Sequence, residues 1–175
     1  MKKLMLLLAA CLPMFIFTAC GDDDDDNGGK PAQKSEVTYY LKTDLTTLSQ
    51  FDVNVFYLDK NGKVQQEAIT QMLWSKTLEN VNPSGMKCEV ALKESTKEAK
   101  SITININGYI SYKVAFNETK TKTDWNTFDG TSKEKVEAAG KTYQDLVDLW
   151  NRNATLAVEL DKNGHARNVT SQVWK

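Results

Sequence analysis

A chain of 175 residues with a single histidine, His165, has few ways to run acid–base or metal chemistry. His165 directly follows a turn glycine, where a histidine normally faces solvent, and no second histidine exists to complete a His-x-x-x-His pair. A serine nucleophile would have to use this histidine, yet the chain has no Gly-x-Ser-x-Gly elbow. Cys88 lies on the apolar side of an alternating segment and reads as a small buried hydrophobe. Asp145 and Asp148, three residues apart, fall on the polar side of a helical pattern, where a solvated face is the simpler account. Asp59-Lys60-Asn61-Gly62 and Asp161-Lys162-Asn163-Gly164 each offer two side-chain oxygens but lack the later glutamate of a calcium loop. No catalytic set, metal or cofactor is expected from these residues.

The remaining chemistry is aromatic. Trp125 and Phe128 stand in the polar segment Lys120 to Gly130, a long loop for a small domain, and long loops often carry function. An indole edged by Asn126, Asp124 and Asp129 could stack on a sugar ring and hydrogen-bond its hydroxyls. Alternatively both rings fold back and plug one end of the domain. Trp74 and Trp150 sit within patterned segments and are expected in the core.

The elements that must position such groups show mainly a period of two. Phe51, Val53, Val55 and Tyr57 alternate with polar residues, as do Met86, Cys88, Val90 and Leu92, then Ile102, Ile104 and Ile106. Ile110, Tyr112, Val114 and Phe116 form another such run, and Leu156, Val158 and Leu160 close the series. Strands that are apolar on one side only belong to antiparallel sheets. The two Asp-Lys-Asn-Gly tetrapeptides predict tight hairpin turns, with an aspartate opening each turn and a glycine where positive φ is needed. Hairpins are thus expected over 50–69 and 154–173, with strands near 36–43, 86–94, 100–107 and 109–117. Residues 65–78 fit either strands or a short helix, and Trp74 to Leu78 favours strand. Over 132–152, Val136, Ala139, Tyr143, Leu146 or Val147, and Trp150 recur at helical spacing. Gly140 is expected to break this helix, and Thr142 with Asp145 to restart it as a capping box. The fold class expected is mainly β: an antiparallel sandwich with one helical segment laid across it.

Charge excludes one class of partner. The chain has 22 basic and 23 acidic residues; setting aside Lys2, Lys3 and Asp22 to Asp26 leaves 20 against 18. Nucleic-acid binding would call for a clear basic excess. Of three cysteines, Cys11 and Cys20 precede the folding region, so Cys88 has no disulfide partner and packing alone must hold the core.

The first nineteen residues read as a secretory signal. Lys2 and Lys3 precede an apolar run from Leu4 to Phe17, and Thr18-Ala19 are the small residues of a cleavage site. That run is 14 residues, short of the roughly 20 that span a bilayer as a helix. Phe17-Thr18-Ala19-Cys20 resembles the lipobox of bacterial lipoproteins, with phenylalanine in place of the usual leucine. The resemblance implies cleavage before Cys20, lipid on Cys20 and anchorage in a membrane. Gly21 and Asp22, Asp23, Asp24, Asp25 and Asp26 are similar to the acidic tract that directs lipoproteins of the Bacteroidota to the outer face of the outer membrane. The same aspartates also suit a solvated, self-repelling tether. The organisation expected is a signal over 1–19, a tether over 20–35 and a β-sandwich domain over 36–175.

Val37-Thr38-Tyr39-Tyr40-Leu41, the run Val53 to Gly62, Trp74-Ser75-Lys76-Thr77 and the late Ala157 to Gly164 together resemble small Bacteroidota surface lipoproteins. Such proteins carry an immunoglobulin- or transthyretin-like sandwich, and the resemblance implies a fold and an address without an activity. The function expected is a non-catalytic binding or accessory module for a glycan or an envelope protein. The rivals are a structural subunit of a surface complex, joined through an open strand edge, and a glycoside hydrolase with converging carboxylates.

Overall fold

The computed structural model describes residues 35–79, 81–114, 117–123, 125 and 127–174. The segment 1–19, Cys20, Gly21, Asp22 to Asp26, Asp124 and Asn126 lie outside the described residues.

β1 (Ser35–Lys42) leads through a short helix, α1 (Leu45–Gln50), into β2 (Phe51–Leu58). Next come β3 (Val64–Ile69), β4 (Leu73–Glu79), β5 (Ser84–Leu92) and β6 (Ser101–Ile104). β7 (Asn107–Val114), β8 (Asn117–Lys122) and β9 (Phe128–Ser132) follow. Helices α2 (Lys133–Ala138) and α3 (Tyr143–Asn153) precede β10 (Thr155–Leu160), β11 (Ala166–Asn168) and α4 (Thr170–Val173). One sheet has the order β4-β1-β7-β8, the other β11-β10-β5-β2-β3, and β6 pairs with β9. The pairings are antiparallel, and the fold is a mainly β sandwich.

Side-chain alternation decides what lies between the sheets. Val37, Tyr39, Leu41, Ile110 and Tyr112 point inward from one sheet, and Val53, Val55, Met86, Cys88, Leu156 and Val158 from the other. Two inward tyrosines also tie the layers together. Tyr39 donates its phenol to the Leu58 carbonyl at 2.9 Å, and Tyr112 to the Val158 carbonyl at 2.8 Å. Burial raises the pKa of both phenols, so they remain donors at any ordinary pH.

The twin tetrapeptides make the same turn. Asp59 Oδ1 accepts from the backbone N–H of Asn61 and Lys63 at 2.8 and 2.9 Å, and Gly62 has φ +71°. Asp161 Oδ1 accepts from Asn163 and His165 at the same two distances, and Gly164 has φ +80°. These N–H bonds, led by those from Lys63 and His165, hold both carboxyls below the usual aspartate range. Their oxygens are thus occupied by the turn itself, which is why these residues recur.

One side of the sandwich is closed by polar groups. β3 ends one sheet and β4 the other, and inward parity places Glu67, Trp74 and Lys76 between them. Glu67 accepts from the Tyr57 hydroxyl at 2.7 Å and from Trp74 Nε1 and Lys76 Nζ, each at 2.9 Å. Inward charges on edge strands also discourage pairing with foreign strands.

The helical segment follows its local signals. α2 ends at Ala138, Gly140 separates the helices, and Thr142 and Asp145 form the capping box that opens α3. Tyr143, Leu146, Val147 and Trp150 are buried, while Ala139, on the same stripe, is exposed at the end of α2. α3 runs beside the part of β5 that β10 does not reach. There the Asn151 amide receives the Val90 N–H at 2.9 Å and donates to the Val90 carbonyl at 3.0 Å, standing in for a neighbouring strand. Gln50 treats β6 the same way, accepting from Thr103 N and donating to Ser101 O. Asn151→Ala strands both Val90 groups and is expected to lower stability by about 1–2 kcal/mol. A urea midpoint unchanged from the parent would refute that account.

Three expectations need correction. The long loop Lys120 to Gly130 shrinks, because Lys120 to Lys122 belong to β8 and Phe128 to Gly130 to β9. β8 is polar along its whole length and lies at a sheet edge, so hydrophobic alternation cannot reveal it. The hairpin over 154–173 is cut short at Asn168, where Asn168 Oδ1 accepts from Thr170 N at 2.9 Å and turns the chain into α4. β6 stops at Ile104, since the Asn105 N–H turns to the Thr47 hydroxyl at 3.0 Å.

Candidate functional site

Trp125 is 7 % exposed and does not offer an open ring. It meets Trp150 edge-on, with centroids 5.9 Å apart and planes at 75°, and lies close over Gly108. A methyl group built on Gly108 would come within 3.1 Å of the indole and 2.5 Å of Met86 Cε. The missing side chain on β7 is what admits the ring. Phe128 is partly buried against the same core, and Asp129 is exposed beside it. The two rings plug the end of the sandwich, and the sugar-stacking reading of Trp125 and Phe128 is corrected accordingly.

The other residues considered for chemistry are dispersed. Cys88 is fully buried, and burial pushes its thiol well above the ordinary range. His165 is exposed, with Nδ1 3.3 Å from Asp161 Oδ2 in the turn. Asp145 serves the α3 cap, and Asp148 accepts from Gln144 Nε2 at 2.8 Å on the solvent side. A cavity of about 330 Å³ beside α2 and α3 is floored by Leu92, Val136 and Tyr143. Of the lysines on its rim, Lys97 is paired with Glu94 and Lys133 with Glu98.

The outward face of the sheet β4-β1-β7-β8 brings together what the interior does not. Register places Tyr40 opposite Tyr109, Ser75 beyond Tyr40 on β4, and Lys122 beyond Tyr109 on β8. The two tyrosine rings stack with centroids 4.6 Å apart and planes at 18°. Lys120, from the far side of β7, places Nζ 5.6 Å from the Tyr109 centroid. The row alongside is hydroxylic: Thr77, Thr38 and Ser111, with the Thr38 and Thr77 hydroxyls 2.9 Å apart. Ser111 donates to Glu118 Oε1 at 2.6 Å. Both tyrosines are half-buried and stack on each other. A rigid aromatic pair set among hydroxyls suits a ligand with apolar C–H faces and many hydroxyls, the two features of a carbohydrate.

No protein-family model, curated protein or solved structure matches the chain.

Neither tyrosine stood out in the sequence as a ligand-binding residue. The signal that could have found them is parity: Tyr40 falls between inward Tyr39 and Leu41, and Tyr109 precedes inward Ile110. Large aromatics on the solvent side of two strands are the residues that period-two patterning leaves unexplained.

Proposed function

We propose that this chain is a lipid-anchored envelope protein that works as a non-catalytic glycan-binding module, with Tyr40 and Tyr109 at the centre of its binding face. The observation that carries the reading is the 4.6 Å tyrosine stack on an outward sheet face beside a row of hydroxyls. Sugar rings lay their axial C–H groups on aromatic carbon while neighbouring hydroxyls and amides take up the ring hydroxyls, so affinity is spread over a flat surface without a deep pocket.

The anchor supports this use. Cys20 within Phe17-Thr18-Ala19-Cys20, and the aspartates after it, fit lipidation and display on the outer face of an outer membrane. The chain enters the domain at Ser35, and Tyr40 lies about 17 Å further along β1 at the usual rise per residue.

Two results test the reading. Cys20→Ser should move the protein from the membrane fraction to the soluble fraction while its thermal unfolding stays unchanged; persistent membrane fractionation counts against the anchor. Tyr40→Ala in the lipidated chain, screened in detergent against a glycan array, should weaken the strongest signals by about tenfold or more. Binding that survives the loss of both Tyr40 and Tyr109 removes this face from consideration.

A further inference from the structure

We infer that the glycan taken by the Tyr40–Tyr109 face is anionic, a polymer bearing uronic-acid carboxylates or sulfate esters; this rests on the glycan-binding reading above. The argument is the distribution of charge over the sheet face, which the strand register lays out in rows. Nearest the Ser35 end, Glu79, Glu36, Lys113 and Glu118 stand side by side, three carboxylates to one ammonium. The next row is Thr77, Thr38, Ser111 and Lys120, and after it Ser75, Tyr40, Tyr109 and Lys122. The far row holds Leu73, Lys42 and Asn107. The face is therefore divided: an acidic row at the entry end, and three rows beyond it in which lysines supply all the charge.

That division is local and not a property of the chain, whose folding region is close to neutral. Lys122 stands beside Tyr109 on β8, and Lys42 stands one outward row beyond Tyr40 on β1. Lys120 adds a third ammonium, 3.3 Å from Glu118 of the acidic row and 5.6 Å from the Tyr109 ring centroid. Successive outward rows are about 6.8 Å apart and neighbouring strands about 4.8 Å, so the lysines flank an area the width of a few sugar residues. Ammonium groups at the margins of an aromatic floor match a ligand whose ring faces are apolar and whose substituents are negative. The acidic row closes the entry end to the same ligand by repulsion. Single-stranded nucleic acid shares the anionic character, but it calls for a clear basic excess, which a balance of 20 basic to 18 acidic residues does not supply.

The test uses the full lipidated chain in detergent micelles, with affinity electrophoresis in gels containing polygalacturonate, a neutral β-glucan of similar length, or oligo-dT. Polygalacturonate should be retained at least about tenfold more strongly than the neutral glucan, and the advantage should fade as salt rises from about 50 to about 300 mM. The exposed pair Lys42→Glu and Lys122→Glu should remove that advantage while leaving unfolding in urea unchanged, and Tyr40→Ala should weaken retention of either polymer. If the neutral glucan is held as strongly as polygalacturonate, the anionic preference is overturned while the glycan face stands. If neither polymer is retained, the glycan-binding reading itself falls. Stronger retention of oligo-dT than of polygalacturonate overturns both.

Discussion

Replacing Trp150 by alanine should cost about 3–5 kcal/mol, the largest loss expected from any single substitution in the domain. Trp150 is 1 % exposed and the bulkiest of the fully buried side chains. It stands on α3 where the helix crosses β5, and Trp125 meets it edge-on to close that end of the sandwich. Removing the indole opens a cavity that rigid strands on both sides cannot collapse to fill. Against a typical total of about 5–15 kcal/mol, such a loss would lower the urea midpoint by roughly a fifth or more. Trp150→Phe sharpens the test. Trp150 Nε1 is buried with no hydrogen-bond partner among the described residues, so phenylalanine keeps much of the ring and removes an unpaired donor. Its cost should stay below about 1.5 kcal/mol. A Trp150→Phe variant as unstable as Trp150→Ala would mean that the indole N–H is satisfied and that volume is not what matters here.

This core was legible because its signals are local and repeated. Period-two alternation marks β2, β5 and β7, helical spacing marks Val136 through Trp150, and Thr142 with Asp145 marks the restart. The Asp-Lys-Asn-Gly turns were legible for the same reason, since a turn closes within five residues. Groups whose roles depend on distant partners were not. Asn151 reads as one more polar residue on a helix until β5 lies beside it. β8, polar throughout, carries no hydrophobic signature, which is why the start of the Lys120 to Gly130 segment reads as loop in the sequence. Of the two readings that the sequence leaves open for Trp125, the burial of the ring matches the plug. The deciding residue is Gly108, some distance along the chain, whose missing side chain leaves space for the ring. The Tyr40–Tyr109 face escaped notice because register, not sequence proximity, makes the two residues neighbours.

Acid should loosen the sandwich through Glu67, whose carboxyl is held far below the ordinary range in the fold. Hydrogen bonds from Lys76, Trp74 and Tyr57 lower its pKa from an ordinary 4.5 to about 2 in the folded chain, whereas the unfolded chain keeps the ordinary value. A carboxyl depressed on folding stabilises the fold above the unfolded value and loses that contribution as pH falls toward the folded one. The window is therefore pH 4.5 down to about 2. Its side chain is 35 % exposed, and water weakens the effect accordingly, leaving about 1–2 kcal/mol. Glu67→Gln removes the charge while keeping the shape. The variant should be less stable than the parent at pH 7 by about that amount, and the two should converge as pH falls through the window. Comparing urea midpoints of the pair cancels the contributions of Asp59, Asp161 and other carboxyls lowered in the folded state, since both chains share them. A difference that persists undiminished to pH 2.5 would show that Glu67 acts through packing alone. The expected convergence would instead identify the closure between β3 and β4 as electrostatic, with one carboxylate gathering a phenol, an indole and an ammonium from strands of both sheets.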